Sequence, residues 1–201
     1  MALSQTREVK VLNTNWKFQK GDFQKASKAD FNDSKWETVT VPHDWAIYGP
    51  FDKNVDIQNV AIVQNGEKTA TEKTGRTGAL PHIGTAWYRN TFTLPKDSKG
   101  KKIILLFEGA MSEPQIYLNG KKVGEWKYGY SYFYFDVSRF IQEGANTVAV
   151  KLSNKEFASR WYPGAGLYRK VSVIIKNNES IDQWGQFITT PFISDAVAKV
   201  N

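Results

Sequence analysis

The 201-residue chain contains no cysteine, which excludes a disulfide framework, a thiol nucleophile and any thiolate metal site. Its two histidines are too few, without cysteine, for a zinc centre built from the metal's preferred ligands. No apolar run approaches the roughly 18 residues that a membrane-spanning helix needs. No stretch beyond about a dozen residues keeps a helical apolar period either, which turns the expectation away from α/β folds. The opening MALSQTREVKVLN lacks the basic region, apolar core and small-residue cleavage site of a secretory leader. A cytoplasmic protein, and a periplasmic one whose leader has been removed, both stay open.

What is abundant is aromatic: seven Trp, nine Tyr and twelve Phe. Flat faces with polar edges suit β-cores and the apolar faces of sugars alike. The formal charge is +7, which raises the question of an anionic partner. The lysines are scattered, however: Lys17, Lys20, Lys25 and Lys28, then Lys99, Lys101 and Lys102 beside Gly100, then Lys121 and Lys122 after an Asn-Gly pair. This reads as solvated loop charge and strand gatekeeping. With no nucleic-acid motif beside it, no nucleic-acid partner is expected, and no membrane partner either.

The chain reads as strands separated by turn chemistry. TAWYRNTFTL (85–94) alternates and stops at Pro95, and KIILLFEGA (102–110) is a continuous apolar run, as in a strand buried on both faces. These two are expected to be neighbours. Asn119-Gly120 inside QIYLNGKKVGEW is the preferred pair for a type I′ hairpin. YSYFYFDVSRFIQEGANTVAVKLSN (130–154) predicts a strand, a helical turn opened by Asp136, a stop at Gly144 and another strand, and KVSVIIKN (170–177) closes the series. The fold class expected is all-β, a β-sandwich. Between VPHDW (41–45) and IGTAWYR (83–89) lies a long segment without periodicity, of a length that is usually functional; it is expected over a binding face. Residues 1–177 form the main domain. After the polar break NNES, residues 178–201 read as a linker and the first strands of another β-domain.

Few motifs survive inspection. GAGLYR (164–169) lacks the third glycine of the dinucleotide fingerprint and runs into a strand rather than a helix. DKNVD (52–56) places Asp52, Asn54 and Asp56 as in a calcium loop, but Ile57 and Val63 stand where Gly and Glu are required, leaving at most a loose cation site. Ser131 in GYSYF misses the second glycine of a nucleophile elbow and is assigned to a strand. His43 and Asp44 are adjacent in an extended segment, point to opposite faces and cannot form a base–orienter pair; a structural turn after Pro42 is expected. His82 is read as a satisfied or exposed loop imidazole. Glu108, Glu113, Glu125 and Asp136 sit at strand ends and turns, and none forms the facing carboxylate pair that glycoside hydrolysis requires.

LNTNWKF, DSKWETVTVPHDW, GTAWYRNTFTLP, LLFEGAMSEPQIYLNGKKVGEWKYGYSYFYFDVSRFI, GANTVAVKLSN and RWYPGAGLYRKVSVII, in this order over residues 12–175, resemble the N-terminal sugar-binding domain of family 2 glycoside hydrolases, the β-galactosidase, β-glucuronidase and β-mannosidase group. The WYPGAGLYR form is most similar to bacterial β-galactosidases. The resemblance implies a jelly-roll first domain, an immunoglobulin-like second domain and a third, (β/α)8 barrel that carries both catalytic glutamates. It also implies that RWYPGAGLYR faces that barrel. Asp44, Trp45, Ser159, Arg160, Trp161 and Tyr162 are thereby assigned to the substrate pocket or barrel interface, with Trp161 filling the interdomain seam. Some galactosidases carry an acidic residue just before this Trp, where Ser159 and Arg160 stand here; an arginine there suits an anionic sugar such as a uronic acid.

The implied function is that of a noncatalytic domain of a β-glycosidase, hydrolysing β-galactosides in its full-length form, that docks on the barrel and shapes its pocket. No catalytic residue, metal or cofactor is expected in this chain. Its partners are the barrel of the full-length chain and a carbohydrate substrate, and a homo-oligomer of the full enzyme is left open. Three alternatives stand beside it: a free-standing carbohydrate-binding module, the same domain from a β-glucuronidase or β-mannosidase, and a basic nucleic-acid binder.

Overall fold

The computed structural model describes residues 7–75, 77–159 and 161–201. Fourteen strands are described: β1 Arg7–Val11, β2 Trp16–Lys20, β3 Glu37–Val39, β4 Ile57–Val60, β5 Thr71–Thr74, β6 Gly84–Thr93, β7 Lys102–Phe107, β8 Gln115–Leu118, β9 Lys121–Glu125, β10 Phe133–Asp136, β11 Ala145–Asn154, β12 Val171–Lys176, β13 Phe192–Ile193 and β14 Ala198–Lys199. Ten of them form a four-stranded sheet in the order β1-β12-β7-β10 and a six-stranded sheet in the order β3-β2-β6-β11-β8-β9, and β4-β5 and β13-β14 pair separately. Neighbours within both sheets are antiparallel. This is the expected jelly-roll sandwich.

Alternation decides which side chains meet between the layers. Ala86, Tyr88 and Phe92 of β6, Val148, Val150 and Leu152 of β11, Ile103, Leu105 and Phe107 of β7, and Val171, Val173 and Ile175 of β12 share one buried core. The other face of β6 is buried too. Residues 21–36 fold over it, so that Trp87 packs with Ala26, Trp36 and Ala149. Arg89, only 2% exposed, holds that cover down. Its guanidinium donates to Asp33 Oδ2 at 2.7 Å and to the carbonyls of Ala26, Lys28 and Ala29. A buried charge is tolerable only with partners of this kind.

Asn119 and Gly120 both take positive φ, 51° and 79°, and Leu118 faces Lys121 across the two-residue turn, as the type I′ reading requires. Asp136 Oδ1 accepts from the Ser138 amide and hydroxyl ahead of a single 3-10 turn, Ser138–Phe140. Gly144 ends the connection at φ 82°. Ile103, Ile104 and Leu105 are all buried, so 102–107 is a strand covered on both faces.

Two expectations fail. β6 and β7 are not neighbours: β6 lies between β2 and β11, and β7 between β12 and β10. Pro95 cannot extend the ladder, and the short turn Lys96–Ser98 carries the chain across to the opposite layer. Ser131 is not in a strand, because β10 begins at Phe133; its Oγ accepts from the Trp126 indole at 3.0 Å. The long 46–82 segment is also more ordered than its sequence suggests, since β4 and β5 pair as a hairpin.

Beyond β12, Lys176 Nζ donates to the Ile181 carbonyl at 2.8 Å and Asp182 pairs with Lys102 at 2.9 Å. Farther on, β13 and β14 form a small hairpin on which Phe192, Ile193, Val197 and Val200 are exposed.

Candidate functional site

The segment Trp161–Arg169 contains Pro163, Gly164 and Gly166, which let it run close beneath its neighbours. Gly166 takes φ 132°, and a Cβ there would stand 2.4 Å from the Tyr88 hydroxyl and 2.5 Å from the His43 carbonyl. Only glycine fits. Gly166 and Met111 exchange both backbone hydrogen bonds at 2.9 Å. Along the other side, His43 N donates to Leu167 O at 2.8 Å and Trp45 N to Ala165 O at 2.9 Å.

Asp44 is the clasp of this arrangement. Its Oδ1 accepts from the amides of Ala46 and Ile47 at 2.9 and 3.2 Å and from the Tyr162 hydroxyl at 2.5 Å, and its Oδ2 accepts from Ala165 N at 3.1 Å. Burial, followed by the Asp44 carboxylate, pushes the Tyr162 phenol well above its ordinary value. Tyr162 and Trp45 pack on a small cluster of Ala46, Leu80 and Ala165. Trp45 Nε1 also donates to Pro81 O at 3.2 Å. His43 lies deeper, with Nδ1 2.7 Å from the Tyr88 hydroxyl. Its pKa is lowered by burial, against the opposing pull of Glu37 and Asp44.

Beside the clasp opens a cleft of about 920 Å³. Ser159 and Trp161 line it, whereas Asp44, Trp45 and Tyr162 do not. Arg160 lies outside the described residues. Trp161 is 59% exposed, yet its indole N–H donates to the Tyr130 hydroxyl at 2.9 Å, which fixes the ring. Tyr128 meets Tyr130 edge to face, with centroids 5.7 Å apart. At the rim Lys155 pairs with Glu113 at 2.6 Å. From the long loop come Gln58 and the buried His82. The His82 Nδ1 donates to Leu80 O at 3.0 Å.

Tyr128, Tyr130, Met111 and Asn154 do not stand out in the sequence. The tyrosines belong to a run, WKYGYSYFYF, whose alternation resembles strand patterning, though the strand occupies only its end. Asn154 carries no signal beyond ending β11. The calcium-like spacing has a local explanation. Asp52 Oδ1 accepts from Asn54 N at 2.9 Å, and buried Asp56 accepts from Thr77 and Gln58. Among the described residues no group of three or more His, Asp or Glu side chains could hold a metal ion.

The cleft offers aromatic faces and a mixed polar rim. Among the described residues its walls contain one carboxylate, Glu113, already paired with a lysine. Two facing carboxylates, the requirement for glycoside hydrolysis, are not assembled there.

The profile described as "Glycosyl hydrolases family 2, sugar binding domain" matches residues 9–184. The β-galactosidase BoGH2A of Bacteroides ovatus is 32% identical over 202 residues, covering 100% of this chain and 22% of its own length. A putative β-glucuronidase of Formosa agariphila is 34% identical over 182 residues, covering 90% of this chain and 16% of its own. Among solved structures, a β-glycosidase from Bacteroides vulgatus superposes with a TM-score of 0.72 at 35% identity, over 85% of this chain and 20% of that one. A β-glucuronidase of Bacteroides uniformis gives 0.75 at 29%, over 96% and 21%. The chain thus spans about a fifth of the length of the relatives it matches.

Proposed function

The chain belongs to glycosyl hydrolase family 2 as its N-terminal sugar-binding domain, and on that premise we propose that it is the noncatalytic module of a longer β-glycosidase acting on terminal β-galactosides. In this reading it packs against a catalytic (β/α)8 barrel and closes one side of the substrate pocket, with Asp44, Trp45, Ser159, Arg160, Trp161 and Tyr162 assigned to that interface or pocket. Asp44 holds Tyr162 through the tyrosine hydroxyl. Residues 178–201 then lead into an immunoglobulin-like second domain, for which the exposed apolar side chains of β13 and β14 are suited.

The observation that carries the reading is the clasped loop. Asp44 fixes Tyr162 and Ala165 from 118 and 121 residues away, and the next ring out, Trp161, is held rigid yet exposed. A fixed aromatic at the edge of a cleft without a carboxylate pair suits a docking and pocket-shaping role better than chemistry. A β-glucuronidase parent is the second reading, favoured by relatives of that name at comparable identity.

The test has two parts. The 201-residue chain, incubated with chromogenic galactosides, glucuronides and mannosides, is expected to show no turnover. In the full-length enzyme, Trp161→Ala is expected to lower kcat/KM while leaving the melting temperature of the 201-residue chain nearly unchanged. Turnover by the chain that disappears when one of its own carboxylates is replaced overturns the noncatalytic assignment. Unaltered kinetics in the Trp161→Ala enzyme overturn the docking role.

A further inference from the structure

Residues 177–184 do not leave the sandwich directly; they turn back over it. Lys176, Lys102 and Tyr134 lie on the face of the four-stranded sheet that points away from the interlayer core, as alternation against the core residues Ile175, Ile103 and Phe133 requires. Each of the three meets the segment that follows β12. The Lys176 ammonium donates to the Ile181 carbonyl at 2.8 Å and stands 3.7 Å from Asp182 Oδ1, and Lys102 pairs with that same oxygen at 2.9 Å. Asn178 Nδ2 donates to Gly100 O at 2.7 Å. The Trp184 ring stands edge to face with Tyr134 and Tyr132, its centroid 5.1 and 6.2 Å from theirs.

Both sides of this contact depend on it. Lys176 is only 3% exposed, and a buried ammonium is tolerated only with partners, which the segment itself supplies. Ile104 and Ile174 are fully buried although they stand outside the interlayer core. They pair with each other in the register row between Lys176–Lys102 and Ser172–Leu106–Tyr134, so the path from Asp182 to Trp184 crosses above them. On the segment's own side, Gly185 N donates to Asp182 O at 3.0 Å and closes a turn in which Trp184 takes φ 57°. A bulky residue keeps a positive φ only where its surroundings fix it. The exposed Lys102–Asp182 pair contributes little alone; here it acts together with the buried lysine and the aromatic edges.

We propose that residues 177–184 are a strap locked onto the outer face of the four-stranded sheet, with Asp182 and Trp184 as its anchors and Lys102, Lys176 and Tyr134 as their receivers. The polar run NNES, whose composition marks a flexible linker, is thereby a fixed spacer. The direction in which the chain departs after Gly185 is set by the sheet. A unit attached there starts from one orientation instead of swinging on a free tether. The inference goes beyond the glycosidase reading and does not depend on it.

The test is 15N relaxation of the 201-residue chain, which reads backbone order residue by residue. In the parent, residues 178–185 are expected to show order parameters of about 0.85, as rigid as β7 and β12, where a free linker falls below about 0.6. Asp182→Asn combined with Trp184→Ala is expected to lower them below about 0.6, while the amide shifts of β6 and β11, in the opposite sheet, stay in place. Trp184→Phe, which keeps an aromatic edge, is expected to retain the parent's rigidity. Order parameters below about 0.6 in the parent overturn the strap, and so does a double variant as rigid as the parent. Should the double variant lose the β6 and β11 shifts, Trp184→Ala alone, at a position 57% exposed, carries the same comparison: loosening of 178–185 supports the strap and unchanged order overturns it.

Discussion

Tyr162 donates its hydroxyl hydrogen to Asp44 Oδ1 at 2.5 Å, joining two segments 118 residues apart. The same carboxylate receives three backbone amides, so one side chain ties the start of the long 46–82 segment to the loop that presents Trp161. Asp44→Ala leaves these donors without their acceptor and is expected to destabilise the chain by about 2–3 kcal/mol. Tyr162→Phe, which removes one bond of the set, is expected to cost about 1 kcal/mol. Urea unfolding of both variants measures the difference, and equal losses would show that the amides contribute nothing beyond the phenol.

Gly166→Ala should be among the most damaging single-methyl additions in this domain. The new Cβ would meet the Tyr88 hydroxyl and the His43 backbone, both within 2.5 Å, at a φ of 132°. Overpacking and backbone strain act together, and a loss of about 3 kcal/mol or more is expected. Gly144→Ala is the control, because its Cβ would meet nothing within 4 Å and only the positive φ is penalised, at about 1–2 kcal/mol. Thermal melts of the two variants beside the parent measure the gap.

His43 gives the fold a pH dependence of known sign. Burial lowers its pKa in the folded state, so the unfolded chain binds the proton more readily. Stability from this group is therefore intact above the unfolded value of about 6.5 and is lost as pH falls through the lower folded value. Melting temperatures between pH 8 and pH 5 should decline, and His43→Gln should flatten that part of the profile. A variant with the parent's full decline would place the dependence elsewhere.

Gly120→Val tests the hairpin. The space at Gly120 is adequate, since a Cβ there would stand 3.6 Å from its nearest heavy-atom neighbour, so the penalty is conformational. A β-branched residue at φ 79° is expected to cost about 2 kcal/mol. Asn119→Ala should cost a similar amount for a different reason, since the Asn119 amide bridges Phe140 O, Asn146 Oδ1 and Thr147 N. Thermal melts of the two variants and their double mutant show whether the effects are separable.

Local chemistry is enough to read the strands from 85 onward in outline and the Asn119-Gly120 hairpin, but not the β4–β5 hairpin or the start of β10. Period-2 alternation in 85–94, the apolar run at 102–107, the Asn119-Gly120 pair and the Gly144 stop act over a few residues, and each structural feature appears at those residues. The absence of cysteine and of a helical period, together with the ordered set of family segments, carries the fold class and the sugar-binding assignment. Layer assignment is not local. Whether the strand after Pro95 pairs with β6 or crosses to the other sheet depends on which apolar faces must meet across the core, and β12, far downstream of β7 in the chain, decides that. The site is still less legible. Asp44 and Tyr162 stand out through the family segments, but their mutual bond and the three amides exist only once 44–47 and 162–165 lie side by side. Tyr130, Trp161 and Asn154 become one surface for the same reason: side chains 7 to 31 residues apart in sequence face a common cleft only after both sheets have closed.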